Sequence, residues 1–295
     1  MLGVVNLDKP VGPTSHDMVD LVRRLTGMRR IGHAGTLDPL ASGVLPILVG
    51  AATRFSDDLT GSPKRYEAVI RLGSRSATDD AQGPLEVVGA PPEEGVAAEA
   101  LASFVGTFEQ RPPAFSARKT AGVVAHRAAR AGSPVETPSR SVTVDAIDLL
   151  GTERGDVWLD LRCDIRCGPG TYIRSIARDL GDRLGCGGYL SALRRTEAAG
   201  LRVADAIAPQ RLEELAAASR LAEAILPAAP LLHLPQLRLD AEAAGRFVHG
   251  SAVLMRGTVG AGRHAVFGDG GLLGIGILRD GLLEPRTVIE PDAAT

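Results

Sequence analysis

Apolar positions recur along the first half of the chain with two different spacings. Val4 to Leu7, Val44 to Val49 and Tyr66 to Leu72 are apolar stretches of strand length. Met18, Val19, Leu21, Val22 and Leu25 instead share the face of a helix that Ser15 can cap and Gly27 ends. Ala81 to Gly95, rich in Gly, Pro and acid, predicts a surface loop, and Val96 to Phe108 returns to helical spacing. A proline-broken segment, Gln110 to Pro113, leads into a basic, helix-like run from Ser116 to Ala131. From Val157 to Cys167 the alternation is strict: Val157, Leu159, Leu161, Cys163, Ile165 and Cys167 face one way, Trp158, Asp160, Arg162, Asp164 and Arg166 the other. That predicts a half-buried antiparallel strand. Gly168-Pro169-Gly170 breaks it, and Thr171 offers a cap. Tyr172 to Leu184 continues as a helix with Ile173, Ile176, Ala177, Leu180 and Leu184 inward, Arg174 and Arg178 lying away from the centre of that stripe.

After Pro227 to Pro235 the texture changes to short Gly-punctuated apolar runs: Ser251 to Met255, His264 to Phe267 and Leu272 to Leu278. A boundary near Pro230 therefore separates residues 1–229 from a small β-rich domain over 230–295. Strand stretches follow one another without a regular crossover helix, so the class is α+β with a mixed or antiparallel sheet.

A chain of 295 residues with 44% hydrophobic content can bury a large core. The run Val44 to Ala52 is too short to span a bilayer, and MLGVVNLDKP carries neither a basic leader nor an apolar stretch. A cytoplasmic protein is expected. Cys163, Cys167 and Cys186, spaced C-x3-C-x18-C, fit neither a disulfide framework nor a paired zinc pattern and read as buried thiols. The net charge of −2 is unevenly spread, at +3 over residues 1–75, −7 over 76–109, +4 over 110–200 and −2 over 201–295. Since polyanion binding follows local potential, the weak total does not exclude RNA.

Asp38 stands before a proline and between Gly35 and Gly43, with His33 five residues earlier. Proline biases the residue before it toward an extended conformation and the glycines permit tight turns, so a stiffened loop presents the carboxylate. Such a loop suits a nucleophile, and it equally suits an ordinary turn in which Asp caps backbone N–H groups.

LDKPVGPTSHD (Leu7 to Asp17), IGHAGTLDPLASGVLPILVGAATR (Ile31 to Arg54), KRYEAVIRLG (Lys64 to Gly73) followed by ATDDAQG (Ala77 to Gly83), QRPPAFSARKTAGVVAHRAARAG (Gln110 to Gly132), GPGTYIRSIARDLG (Gly168 to Gly181) and LSALRRTEAAG (Leu190 to Gly200) occur in this order. Together they resemble the bacterial TruB-type tRNA pseudouridine synthases. The resemblance implies an α+β pseudouridine synthase catalytic domain over residues 1–229, with an RNA-clasping thumb inserted at about 110–135. It implies a PUA-like RNA-binding domain over 230–295, which is its loosest part. The reaction it implies detaches uracil from C1′, turns the base and joins C5 to C1′ at the uridine of tRNA position 55, on a T-arm partner, with no metal or other cofactor and with no membrane. A monomer is expected.

By the same resemblance Asp38 is the nucleophile, Arg174 pairs with it and orients it, and Tyr66 stacks on the target base and is a candidate for proton transfer. His33 takes the place the uridine vacates, returning part of the few kcal/mol that flipping costs. Asp80 resembles a carboxylate near the flipped base, Tyr172 a pocket aromatic, Leu193 an apolar wall beneath the ring and Lys9 a support for the N-terminal part of the site. Arg118, Lys119, Arg127 and Arg130, with His126, make the thumb cationic for phosphate contacts. His126 stands where the family pattern has tyrosine, and Ser76 and Asp79 depart from its threonine-rich block.

Two other functions share these features. A nucleobase-releasing enzyme also needs base flipping and attack near C1′, but it would free uracil and leave an abasic site. A non-catalytic T-arm binding or folding module would keep its function without Asp38. A phosphoryl-transfer role for Asp38 lacks an accompanying P-loop or paired metal-binding carboxylates.

Overall fold

The fold is described from a computed structural model covering residues 2–114, 119–120, 123–124, 138–255 and 260–289. Among these residues nine strands form the main sheet. They are β1 (Gly3–Lys9), β2 (Ile31–His33), β3 (Ala41–Val49), β4 (Lys64–Leu72), β5 (Gly106–Gln110), β6 (Arg140–Arg154), β7 (Leu159–Cys167), β8 (Gly188–Ala198) and β9 (Leu201–Arg202). Seven lie side by side in the order β1–β3–β8–β4–β7–β6–β5, with β2 also on β3 and β9 on β8. The β3–β8 pair is parallel and the other pairs are antiparallel, which is the mixed α+β sheet expected.

The alternation in β4 and β7 sets the two faces. Tyr66, Ala68, Ile70 and Leu72 of β4 and Leu159, Leu161, Cys163, Ile165 and Cys167 of β7 point into one core. The Ser15–Thr26 helix contributes Met18, Val19, Leu21 and Val22 to it, and the Ile173–Leu184 helix contributes Ile173, Ile176, Ala177 and Leu180. Each fully buried aliphatic chain stabilises by roughly 1.5–3 kcal/mol, so both helices are held on this face by their apolar stripes. The opposite face carries cross-strand ion pairs, including Arg65–Asp164 at 2.8 Å and Arg71–Asp160 at 2.6 Å.

Several local readings are corrected. Thr14, not Ser15, caps the first helix through a capping box with Asp17, because the Ser15 hydroxyl is committed elsewhere. Thr171 caps nothing: its hydroxyl turns back to the Gly168 carbonyl, and Tyr172 precedes the helix without a side-chain cap. Helical structure after Glu94 stops at Ala102. Gly106, at φ +116°, turns the chain into β5, which pairs with β6. Inside the expected loop, Leu85–Val87 pairs with Ser74–Ser76. In the basic run, Lys119–Thr120 pairs with Val123–Val124 as a short antiparallel ladder, so no helix passes through those four residues.

Gln236–Arg238, Val253–Leu254, Gly262–Gly268, Gly271–Arg279 and Leu282–Val288 form a second sheet, with the Ala241–Val248 helix packed on it through Phe247. The Gly-punctuated pattern gives no sign of this helix. Asp240 caps it through the Ala243 amide.

The parallel β3–β8 junction has a demanding requirement. Gly43 sits opposite Arg195 with φ +100°, and a Cβ there would come within 2.2 Å of the Arg195 carbonyl oxygen. Both the backbone conformation and the space call for glycine. Gly43→Ala is therefore expected to lose about 3 kcal/mol or more of stability. Urea denaturation checks this, and a variant within about 0.5 kcal/mol of the parent would show that the junction yields easily.

Candidate active site

The Asp38 loop is pinned from several sides by the main chain. Ser15 is buried, and its hydroxyl donates to the Leu37 carbonyl at 2.8 Å and accepts from the Leu37 amide at 2.8 Å. The Ala41 amide donates to the Asp38 carbonyl at 3.0 Å and the Gly12 amide to the Pro39 carbonyl at 2.8 Å. None of these bonds uses the Asp38 carboxylate. It remains available, with its side chain 37% exposed.

Arg174, in the first turn of the Ile173–Leu184 helix, meets it. Its Nε lies 3.0 Å from Asp38 Oδ2, while its Nη1 donates to the Thr78 carbonyl at 3.0 Å and lies 3.7 Å from Asp80 Oδ2. The arginine side chain is only 4% exposed, so the pair is screened little by solvent on the arginine side. One turn on, Arg178 pairs with Asp79 at 2.9 Å and donates to the Arg111 carbonyl at 2.8 Å. The helix thus grips the Asp79–Asp80 turn.

Asp38, Tyr66, Tyr172, Arg174 and Leu193 all line one cavity of about 290 Å³, near the lower end of ligand-pocket volumes and suited to a single planar ring rather than a duplex. Tyr66 and Arg174, far apart in sequence from Asp38, thus share one cavity with it. Burial pushes the Tyr66 phenol up from its ordinary range, with the neighbouring Arg195 guanidinium opposing. Tyr172 is held on two sides. Gln110, fully buried, accepts from the Tyr172 amide at 2.9 Å and donates to its carbonyl at 3.1 Å, and the Arg140 guanidinium lies 5.0 Å from the ring centroid.

Three residues expected near the site stand around it rather than along the cavity wall. Asp80 is buried behind Arg174, where it accepts from the Thr78 hydroxyl at 2.6 Å and the Gln82 amide at 3.1 Å. His33 ends β2, and burial lowers its pKa, with the Arg195 and His16 charges adding to the effect. Lys9 is buried at the end of β1, and its ammonium donates to the Pro10 and Pro13 carbonyls at 2.8 and 2.7 Å. It secures the loop beneath Asp38. Arg118, His126, Arg127 and Arg130 lie outside the described residues, as does the side chain of Lys119.

Sequence reading missed four residues that matter here. Arg195 and Lys64 line the cavity, as does Arg140, while Gln110 holds Tyr172. Two signals were present. Lys64 is in phase with Tyr66, Ala68 and Ile70, so it must point inward with them. The adjacent pair Arg194-Arg195 on a strand must also put one arginine on each face. Arg194 pairs with Asp8 outside at 2.8 Å, and Arg195 is buried, donating to the Val44 carbonyl at 2.7 Å and the Gly35 carbonyl at 2.9 Å.

Burial drops the Lys9 pKa to about 8, with the Asp38 charge opposing the drop. A folded pKa below the unfolded value of 10.5 means that the burial cost is fully present below about pH 8. It is relieved as pH rises toward 10.5, because there the unfolded chain binds more protons. Stability should therefore gain up to about 3 kcal/mol from this residue across that window. Lys9→Met should flatten the rise relative to the parent, Lys64 contributing its own rise in both proteins. Denaturant unfolding at pH values from about 7 to 10 reads the difference; identical slopes would mean that Lys9 is not buried charged.

The fold is shared with a chain of an H/ACA RNP solved bound to a substrate RNA containing 2′-deoxyuridine. The TM-score is 0.73 at 24% identity, over 99% of this chain and 86% of that one. Residues 23–173 match the N-terminal domain of the TruB family pseudouridylate synthases, 174–233 the tRNA pseudouridylate synthase B C-terminal domain and 235–289 the pseudouridine synthase II TruB C-terminal region. Proteins named tRNA pseudouridine synthase B are 39% identical in Ralstonia pickettii (97% of this chain, 94% of that one) and 42% identical in Trichormus variabilis (99% of each). The chain belongs to the TruB family of pseudouridine synthases.

Proposed function

We propose that this protein isomerises the uridine at position 55 in the T loop of tRNA to pseudouridine, by flipping the base into the cavity and attacking with Asp38. The observation that carries the reading is the 3.0 Å Arg174–Asp38 pair on a cavity shared with Tyr66 and Leu193, in a chain about 40% identical along its length to proteins named for this reaction. The target base enters between Tyr66 and Leu193. The main-chain bonds around Leu37 and Asp38, together with Arg174, hold the carboxylate in place, so little reorganisation is needed at the moment of attack. Tyr66 stacks on the ring and serves in the later proton transfer. His33, beside the loop, fills the stack that the uridine leaves.

Residues 1–229 act as the catalytic domain. The insertion at about 110–135, with Arg118, Lys119, Arg127 and Arg130, acts as a thumb on T-arm phosphates, and residues 230–295 act as a PUA-like RNA-binding domain. The +4 charge of residues 110–200 supports the thumb assignment. Among the described residues no helix is long and apolar enough to cross a membrane. The protein works as a monomer on tRNA in the cytoplasm.

Mapping pseudouridine in unmodified total tRNA after exposure to the purified protein tests the reading. One new site in the T loop is expected. A site elsewhere removes the substrate assignment, and release of free uracil with unchanged binding would favour a glycosylase instead.

A further inference from the structure

The cavity holds more buried positive charge than its carboxylates answer. Asp38 is already paired with Arg174, and Asp80 lies behind the same guanidinium. Arg195, 1% exposed, and Lys64, 8% exposed, nevertheless line the cavity from β8 and β4. Among the described residues neither has an ion-pair partner. Arg195 donates to the Val44 and Gly35 carbonyls, and Lys64 to the Thr60 and Ser62 carbonyls. The two cations come together around Gly35, where an added Cβ would lie 3.4 Å from Arg195 Nη1 and 3.9 Å from Lys64 Cε. Two buried cations on the wall of a cavity, satisfied by carbonyl dipoles and, for Arg195, by the Tyr66 phenol rather than by a carboxylate, are costly. The cost is recovered if an anion forms there.

The proposed reaction supplies one. When the C1′–N1 bond breaks, its electron pair stays on the base, and the charge spreads over N1, O2 and O4. The Asp38 carboxylate traps C1′. After the base turns, C5 forms the new bond to C1′ and the carboxylate leaves with its electron pair. The C5 proton is then lost and N1 takes one up, so the isomerisation balances without an oxidant or co-reactant. We propose that Lys64 and Arg195 form a preorganised cationic wall that stabilises the detached uracil anion, as oxyanion donors do for other leaving groups. The charge is shared by several ring atoms, so a wall of two cations can follow it while the base turns. This inference rests on the function proposed above.

A T-arm stem-loop carrying uridine or 5-fluorouridine at the target position separates this role from a structural one. Fluorine makes the departing base less basic at N1, so its cleavage needs less help from the wall. The readout is disappearance of the parent nucleoside under single-turnover conditions. Lys64→Met is expected to slow the uridine substrate by about 100-fold and the 5-fluorouridine substrate by less than about 10-fold, with Lys64→Arg close to the parent on both. The ratio comes from one protein preparation, so partial unfolding cancels from it. Equal losses on the two substrates, or no loss on either, would overturn the proposal. If the parent protein forms no pseudouridine in the T arm, the functional reading fails first and this inference with it.

Discussion

Asp38→Asn is expected to lower pseudouridine formation by at least about 10⁴-fold while leaving T-arm affinity within about threefold of the parent. The reason lies in how the loop is built. Its conformation depends on Ser15 bonding both the amide and the carbonyl of Leu37, on Ala41 bonding the Asp38 carbonyl and on Gly12 bonding the Pro39 carbonyl. The carboxylate itself is spare, 37% exposed, and its loss does not strip Arg174 of anionic company, since Asp80 remains 3.7 Å away. The asparagine is nearly isosteric and still offers an acceptor to Arg174 Nε, but it is no nucleophile. Single-turnover assays on a T-arm stem-loop, paired with a binding titration, read the two quantities separately. A variant keeping more than about 1% of parental turnover would remove Asp38 from the chemistry, and an equal loss of binding would make it a recognition residue.

The second large effect is expected at Arg174. Arg174→Met leaves Asp80, whose side chain is 5% exposed, buried without its cation, and leaves the Thr78 carbonyl without this donor. Breaking a buried pair in this way costs about 3–5 kcal/mol, so the variant should be markedly less stable. Turnover should also fall by about 10²–10³-fold, because Asp38 is no longer oriented. Adding Asp80→Asn distinguishes the two roles of the arginine. The double variant removes the stranded charge and should recover most of the stability measured by urea denaturation. It should recover none of the turnover, because the contact with Asp38 is still missing. If stability and turnover return together, Arg174 acts only through folding.

Much of the site is legible in the amino-acid sequence, for reasons that differ by residue. Asp38 stands out because its neighbours restrict the backbone: a following proline and flanking glycines are visible in a single line of sequence. The strand and helix faces of residues 159–184 follow from short periods, and period is a local property that one element carries by itself; Val157, expected inward with them, precedes the strand and is 58% exposed. Arg174 shows the limit of that reasoning. The stripe of Ile173, Ile176, Ala177 and Leu180 places the arginine off the buried centre, yet it is 4% exposed. A helix stripe reports where the apolar core lies, and it is blind to carboxylates brought over the helix's first turn by the Asp38 loop and the Asp79–Asp80 turn.

The cations of the site show the same division. Alternation alone places Lys64 in phase with Tyr66, and it requires Arg194 and Arg195 to face opposite ways. It does not say which of the two arginines is inside or what either meets. That was decided by the β-bulges of β8 against β4 and by the parallel register setting Gly43 opposite Arg195, which carries the guanidinium under the Gly35 turn. Lys9, equally readable as a solvated loop cation, is fully buried because the Pro10 and Pro13 carbonyls fold back over it.

By itself, the sequence determined the family, the mixed α+β class, the β-rich C-terminal part and the stiffened loop that presents Asp38, because ordered blocks, hydrophobic period and proline–glycine punctuation are written along the chain. Only the tertiary structure decided which charges are buried and which of them meet. Burial and pairing depend on the register between strands distant in sequence, and the desolvation that makes a buried charge consequential exists only once those strands have closed around it.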